Sequence, residues 1–313
     1  MIEVYKAIDN KLTKIGVEKI AEKDSWIYIV SPTSEEIENI TKKFNVPKDF
    51  LEDPLDYNES PRIEIEDGVT LIIIQTPYYD EDDEYIKFKT LPLGIIFTKE
   101  CLITVSSKKD DVLQNFIRGR VKKFSTSKRN RLTLQILSKT STVYLNYLKR
   151  ISKITNDIEY RLEKSMKNDE LMDFLDLQKS LVYFTTSLRA NEAVMEKLYR
   201  IGLLTKFEED KDYLEDMMVD NKQALEMTNI HSNILRSTMD AFASMISNNL
   251  NAVMKFLTSV TIILMIPTLI ASIYGMNIKL PFARSSHAFA ITIGASIVFS
   301  LIGVFIFIKR KWF

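Results

Sequence analysis

The chain has 313 residues, 46% of them hydrophobic, and its 42 basic and 42 acidic side chains cancel, which argues against a protein that coats nucleic acid. One cysteine, Cys101, excludes an internal disulfide framework and any multi-cysteine metal site, and two histidines, His231 and His287, leave little material for a zinc or haem centre. The neutrality hides a split: residues 255–313 hold six basic residues and no acidic one, so residues 1–254 carry a net charge of −6.

In chain order, the opening MIEVYKAIDN lacks the basic-then-apolar pattern of a secretory leader, and the N-terminus is expected to stay where it is made. Residues 1–119 contain six of the eight prolines and four of the eight glycines, so this stretch is turn-rich. Within it 26–30, 62–66, 69–76, 85–91 and 101–106 have strand-like β-branched and aromatic content, and Asp67-Gly68 is a hairpin signal. Ser34-Glu35-Glu36-Ile37 opens a short helix with a hydroxyl cap, and 110–120 reads as another. Residues 1–125 are therefore expected to form a mixed α/β domain. It has no Gly-rich phosphate loop, which argues against direct ATP-driven transport. No Gly or Pro occurs between Gly119 and Gly202, or between Gly202 and Pro267. Residues 126–254 accordingly read as a helical stalk. One helix carries Leu132, Leu137, Tyr144, Leu148 and Ile151, and a second starts at Asn168-Asp169. A third starts near Asp210 and meets no breaker before Pro267, a length of roughly 85 Å that needs partners along its side.

Residues 256–274 and 288–308 contain no charged side chain, and each run is long enough to cross about 30 Å of hydrocarbon. Residues 255–313 thus read as a two-helix transmembrane domain. The first span covers about 255–275, an outer loop 276–287, and the second span about 288–308. Lys309, Arg310 and Lys311 place the end of the second span in the cytoplasm by the positive-inside rule, and two spans return the N-terminal body to the same side. The connecting loop faces outward, with Lys279 and Arg284 within it, and Trp312 is an interfacial anchor.

Along the third helix Asp240, Ser244, Ser247, Asn251, Met254, Thr258, Thr261, Met265, Thr268, Ser272 and Gly275 follow an alternating four-three spacing. That is a heptad seam, but hydroxyls, an amide and a carboxylate stand where a coiled coil places Leu or Ile. Two readings fit: small residues that let helices pack closely in a membrane, or the lining of a water-filled axis made by several identical helices. At the seam's end Tyr274-Gly275-Met276-Asn277 would set amide and carbonyl oxygens around the mouth of such an axis. Uncharged oxygens suit a hard cation that keeps its water, as Mg²⁺ does.

Tyr274-Gly275-Met276-Asn277 at the end of the first of two C-terminal spans resembles the signature of the CorA magnesium transporters. The resemblance extends back through Asn251, Met254-Lys255, Leu257-Thr258, Met265 and Thr268, and forward to the basic-aromatic ending at Lys309–Trp312. It implies an α+β membrane protein with a cytoplasmic α/β domain, long stalk helices and two C-terminal transmembrane helices, assembled as a funnel-shaped homopentamer in the cell membrane with both termini cytoplasmic. It further implies that Gly275, Met276 and Asn277, supported by Tyr274, capture hydrated Mg²⁺, with Co²⁺ or Ni²⁺ as alternatives. Asn251, Thr258, Thr261 and Thr268 then offer oxygens along the axis, and Met254, Leu257 and Met265 narrow it. Cytoplasmic Mg²⁺ bound between neighbouring subunits closes such channels. Asp216, 35 positions before Asn251, matches one carboxylate of that sensor, Asp80 in the acidic turn 78–84 is assigned as its partner, and Asp240 matches a position that holds ions in the funnel. The outer loop departs from many relatives in having no acidic residue, which also leaves the choice among Mg²⁺, Co²⁺ and Zn²⁺ open. The expected partners are membrane lipid, divalent cations and further copies of the chain, with no nucleic acid, no organic cofactor and no enzymatic activity. The alternatives are a zinc transporter of the same architecture and a non-conducting, membrane-anchored sensor or scaffold.

Overall fold

The computed structural model describes residues 1–313 apart from 9–10, 17–21, 122–123, 166–167, 278–280, 282–286, 311 and 313. The chain divides into two compact units, Met1–Thr238 and Met239–Phe313.

The first unit is built on a seven-stranded sheet of order β2-β1-β3-β7-β6-β5-β4, comprising β1 (Ile2–Ile8), β2 (Lys11–Ile15), β3 (Trp26–Val30), β4 (Arg62–Glu66), β5 (Val69–Tyr79), β6 (Phe88–Phe97) and β7 (Leu102–Ser106). The β3–β7 pair is parallel and the other pairs are antiparallel. WIYIV and LITVS form that central pair because every residue in both is buried, as continuous apolar runs covered on two faces must be. Alternate side chains serve opposite faces. Ile27, Ile29, Ile103 and Val105 share a core with Ile37 and Ile40 of α1 (Ser34–Phe44) and Phe50 and Leu51 of α2 (Lys48–Glu52). On the other face Trp26 meets Phe116 of α3 (Asp111–Ile117) edge-on at 6.3 Å, and the Gln114 side chain donates to Tyr28 Oη. Two long helices, α4 (Arg129–Ser165) and α5 (Asn168–Ile201), pack on β5 and β6.

Three sequence expectations change in detail. Strands β1 and β2 were not expected. The strand placed at 85–91 instead runs Phe88–Phe97 through Pro92 and Gly94, where a side chain would collide with the Pro54 ring. The cap of α1 is Thr33, in a reciprocal capping box with Glu36, one residue before the serine expected there. The third long helix, α6 (Glu208–Tyr274), runs through Pro267 and continues for seven residues beyond it. Proline removes one amide donor, a loss that apolar spanning helices tolerate.

The second unit contains the C-terminal part of α6 and α7 (Ala288–Lys309), and both helices are long and apolar enough to cross a membrane. They meet where Ser259 and Ser296 are buried. A Cβ on Gly303 would lie 3.5 Å from Ile266 Cδ1 and 3.8 Å from Ile263 Cγ1, so glycine permits this approach. Large apolar side chains elsewhere face outward, Phe289 at 81% exposure and Phe305 at 67%, a surface suited to lipid.

Candidate functional site

Every seam residue from Asp240 to Gly275 is exposed. The α7 contact uses Ser259, Ile263 and Ile266, and at 100° per residue their direction lies about 150° around α6 from that of Thr258, Thr261, Met265 and Thr268. Packing within the hairpin therefore does not explain the seam. Three of its hydroxyls are oriented by their own helix: Thr261 Oγ1 donates to Leu257 O at 2.8 Å, Thr268 Oγ1 to Leu264 O at 3.1 Å and Ser244 Oγ to Asp240 O at 2.9 Å. A hydroxyl whose single proton is bonded to the i−4 carbonyl presents only acceptor lone pairs outward. At Ser244, Thr261 and Thr268 the seam thus offers oxygens to a cation rather than protons to an anion. Met254, Leu257 and Met265 are 52%, 57% and 62% exposed and interrupt this polar surface with large apolar groups. Asn251 and Thr258 stand exposed in the same helix.

At the C-terminal end of α6 the Gly275 amide donates to Ala271 O at 2.9 Å and the Met276 amide to Ile273 O at 3.2 Å. A Cβ on Gly275 would come within 3.3 Å of Ala271 O, so glycine eases the exit from the helix. Tyr274 Oη donates to Pro281 O at 3.5 Å, which ties the helix end to the loop that follows. Met276 and Asn277 are exposed. Lys279, Arg284 and Lys311 lie outside the described residues.

The proposed regulatory carboxylates differ sharply in setting. Asp216 and Asp240 are exposed on α6. Asp80 is buried at 9% exposure, and its Oδ2 accepts from Lys108 Nζ at 3.1 Å, Lys89 Nζ at 3.5 Å and Tyr78 Oη at 3.4 Å. Burial pushes the Asp80 carboxyl up, but hydrogen bonding and charge from Lys108 and Lys89 outweigh it and hold the group below the usual carboxylate range. Lys89 also pairs with Asp83, and Lys108 lies 5.3 Å from the centre of the Tyr78 ring. Reading the sequence missed these lysines: Lys108 is 28 positions from Asp80, and only the β5–β6–β7 pairing brings it close. Among the described residues, three carboxylates whose oxygens lie within 4.8 Å of one another occur at Asp49, Glu64 and Glu66.

Cys101 is fully buried, and burial pushes its thiol up to about 11, the state of a packed, inert side chain. Burial lowers the pKa of His231, which favours its neutral form.

The family model described as CorA-like Mg2+ transporter protein matches residues 22–310. The chain is 31% identical over 297 residues to the cobalt/magnesium transport protein CorA of Methanocaldococcus jannaschii, with 92% of this chain and 90% of that one covered. The complete structure of the CorA magnesium transporter from the same organism superposes with a TM-score of 0.85 at 29% identity, covering 100% of this chain and 99% of that one. The cytoplasmic domain of ZntB from Vibrio parahaemolyticus reaches a TM-score of 0.62 over 79% of this chain and 98% of that one, but at 12% identity this is a likeness of fold alone.

Proposed function

We infer the function of this chain from one premise: it belongs to the CorA-like Mg2+ transporter family. It carries Mg²⁺, with Co²⁺ as an alternative, across a membrane down its electrochemical gradient. An inward-negative potential supplies about 2.3 kcal/mol per charge per 100 mV, so roughly 4.6 kcal/mol for a divalent ion, and no nucleotide chemistry is required. The observation that carries this reading is the exposed seam of α6, with Thr261 and Thr268 presenting acceptor oxygens, turned away from α7 and left open to other copies of the chain. Closed rotational symmetry, with five copies as the family resemblance implies, brings those seams around one axis.

On that axis Thr258, Thr261 and Thr268 offer oxygens, while Met254, Leu257 and Met265 narrow the path. Gly275, Met276 and Asn277 receive the hydrated ion at the outer mouth, and both termini are cytoplasmic. Neutral oxygen donors favour Mg²⁺, which dehydrates reluctantly, over Zn²⁺, which prefers nitrogen and sulfur ligands. Asp216 and Asp80 report cytoplasmic Mg²⁺, and an ion reaching Asp80 must compete with Lys108 and Lys89 for the same oxygen. Asp240 holds ions inside the funnel. The test is Thr261→Val with Thr268→Val, which keeps side-chain volume and removes both oxygens. Mg²⁺ uptake is expected to fall at least tenfold with the oligomer intact. Uptake equal to wild type would show that these hydroxyls serve helix packing and do not line the ion path, and no uptake by assembled wild type would favour the non-conducting reading.

A further inference from the structure

A cleft of about 330 Å³ opens between α5 and α6 within the first unit. Buried Asn221 of α6 holds the two helices together beside it, since its Nδ2 donates to Leu188 O at 3.0 Å. Thr185 and Arg189 of α5 line one wall, and Asn229, Ser232, Asn233 and Arg236, which share one face of α6 by their three-to-four spacing, line the other. No carboxylate lines the cleft. Among the described residues neither arginine is ion-paired, although Glu192 follows Arg189 by three residues and Asp240 follows Arg236 by four, the separations at which helix pairs form. The Thr185, Asn229, Ser232 and Asn233 side chains likewise make no hydrogen bond to a described residue. Only the Thr186 hydroxyl at the same wall is committed, donating to Val182 O at 3.0 Å.

The unmatched charge selects the ligand. Residues 1–254 carry a net charge of −6, yet here two guanidinium groups that repel each other gather without a counter-charge from the chain. A guanidinium only donates, and its planar fork matches two oxygens of one anionic group. Two such forks call for an anion with more than one charged group. A carboxylate gives both its oxygens to one fork, whereas a terminal phosphoryl group keeps a third for the hydroxyls and amides beside the arginines. No aromatic ring lines the cleft for a nucleobase to stack on, and its volume lies at the lower end of the range of about 300–1,000 Å³ usual for small-molecule sites. We propose that the cleft between α5 and α6 binds an inorganic di- or polyphosphate anion through Arg189 and Arg236.

The test is calorimetric titration of the full-length, assembled protein in detergent with pyrophosphate, tripolyphosphate and succinate, in Mg²⁺-free buffer because polyphosphates chelate the ion. Saturable binding of both phosphates is expected, at least roughly tenfold tighter than that of the dicarboxylate. Arg189→Gln and Arg236→Gln should each weaken pyrophosphate binding about tenfold or more. Arg200→Gln, at an exposed position of α5 outside the cleft, should leave it unchanged. All three positions are exposed and glutamine is a good helix former, so the fold is retained in each variant. Absence of saturable binding would overturn the proposal, as an acidic side chain of a neighbouring copy filling the cleft would produce. So would succinate binding as tightly as pyrophosphate, or an equal loss in Arg200→Gln, which would mark diffuse attraction to surface charge.

Discussion

The junction of α5 with the sheet rests on one side chain, Asn191. Strand β4 pairs with β5 only as far as Ile73, opposite Arg62, because Pro61 interrupts the edge. Beyond that rung the backbone of Gln75 would face the protein interior unpaired. Asn191 replaces the missing strand: its Oδ1 accepts from the Gln75 amide at 2.8 Å and its Nδ2 donates to Gln75 O at 2.8 Å. Tyr144 Oη donates to the same carbonyl at 3.1 Å. In Asn191→Leu the carbonyl keeps the tyrosine, but the amide becomes a buried donor with no partner. An orphaned buried donor costs about 1–3 kcal/mol, and the second lost bond adds about 1, giving roughly 2–4 kcal/mol. Tyr144→Phe removes one of two donors to an acceptor that stays satisfied and should cost about 1 kcal/mol. For a unit of this size the asparagine variant should melt of order 10 °C below wild type, followed through the fluorescence of buried Trp26. An asparagine variant as stable as wild type, or a tyrosine variant more damaged than it, would refute this account of how α5 is held.

Two further predictions concern charge. Burial lifts the Asp110 carboxyl to about 6, although it accepts from Thr76 Oγ1 and from the Leu113 amide at the start of α3. Between its ordinary 3.8 and 6 the folded chain holds a proton that the unfolded chain has released, so stability falls as pH rises through this window, by about 3 kcal/mol in all. Asp110→Asn keeps a good helix cap and should flatten that part of the stability curve; the same slope in both proteins would contradict the assignment. Lys108→Met removes a counter-charge from Asp80, so the concentration of cytoplasmic Mg²⁺ that halves uptake should drop several-fold. An unchanged or higher value, measured in vesicles with the internal Mg²⁺ varied, would remove Asp80 from the regulatory reading.

Much of the architecture was legible because it follows from local rules. The charge-free runs, the absence of Gly and Pro across α4 and α5, and the β-branched content of β3, β4 and β7 each act within a few residues of themselves. The strands missed or misplaced depend on their partners: β1 is held between β2 and β3, and β6 tolerates Pro92 because Gln75 opposite it turns its amide and carbonyl to Asn191, so no ladder bond is lost. The seam of α6 was visible as a spacing, yet whether it packs on α7 could not be read from that spacing. The position of Gly303 against Ile263 and Ile266 settles that it does not. Asp80 shows the opposite limit: it was assigned to a cation sensor from its acidic turn, while Lys108 arrives from the bend just after β7.

The central claim is that potential-driven divalent cations enter past Asn277 and follow the seam of α6. The measurement that tests it most directly is Mg²⁺ entry into proteoliposomes with an internal fluorescent indicator and an imposed inward-negative potential, for wild type and Asn277→Ala side by side. The account predicts potential-dependent entry in wild type and its loss in the variant, with assembly unchanged. Equal entry in both proteins, or no entry of Mg²⁺ or Co²⁺ through correctly assembled wild type at low internal Mg²⁺, would contradict it.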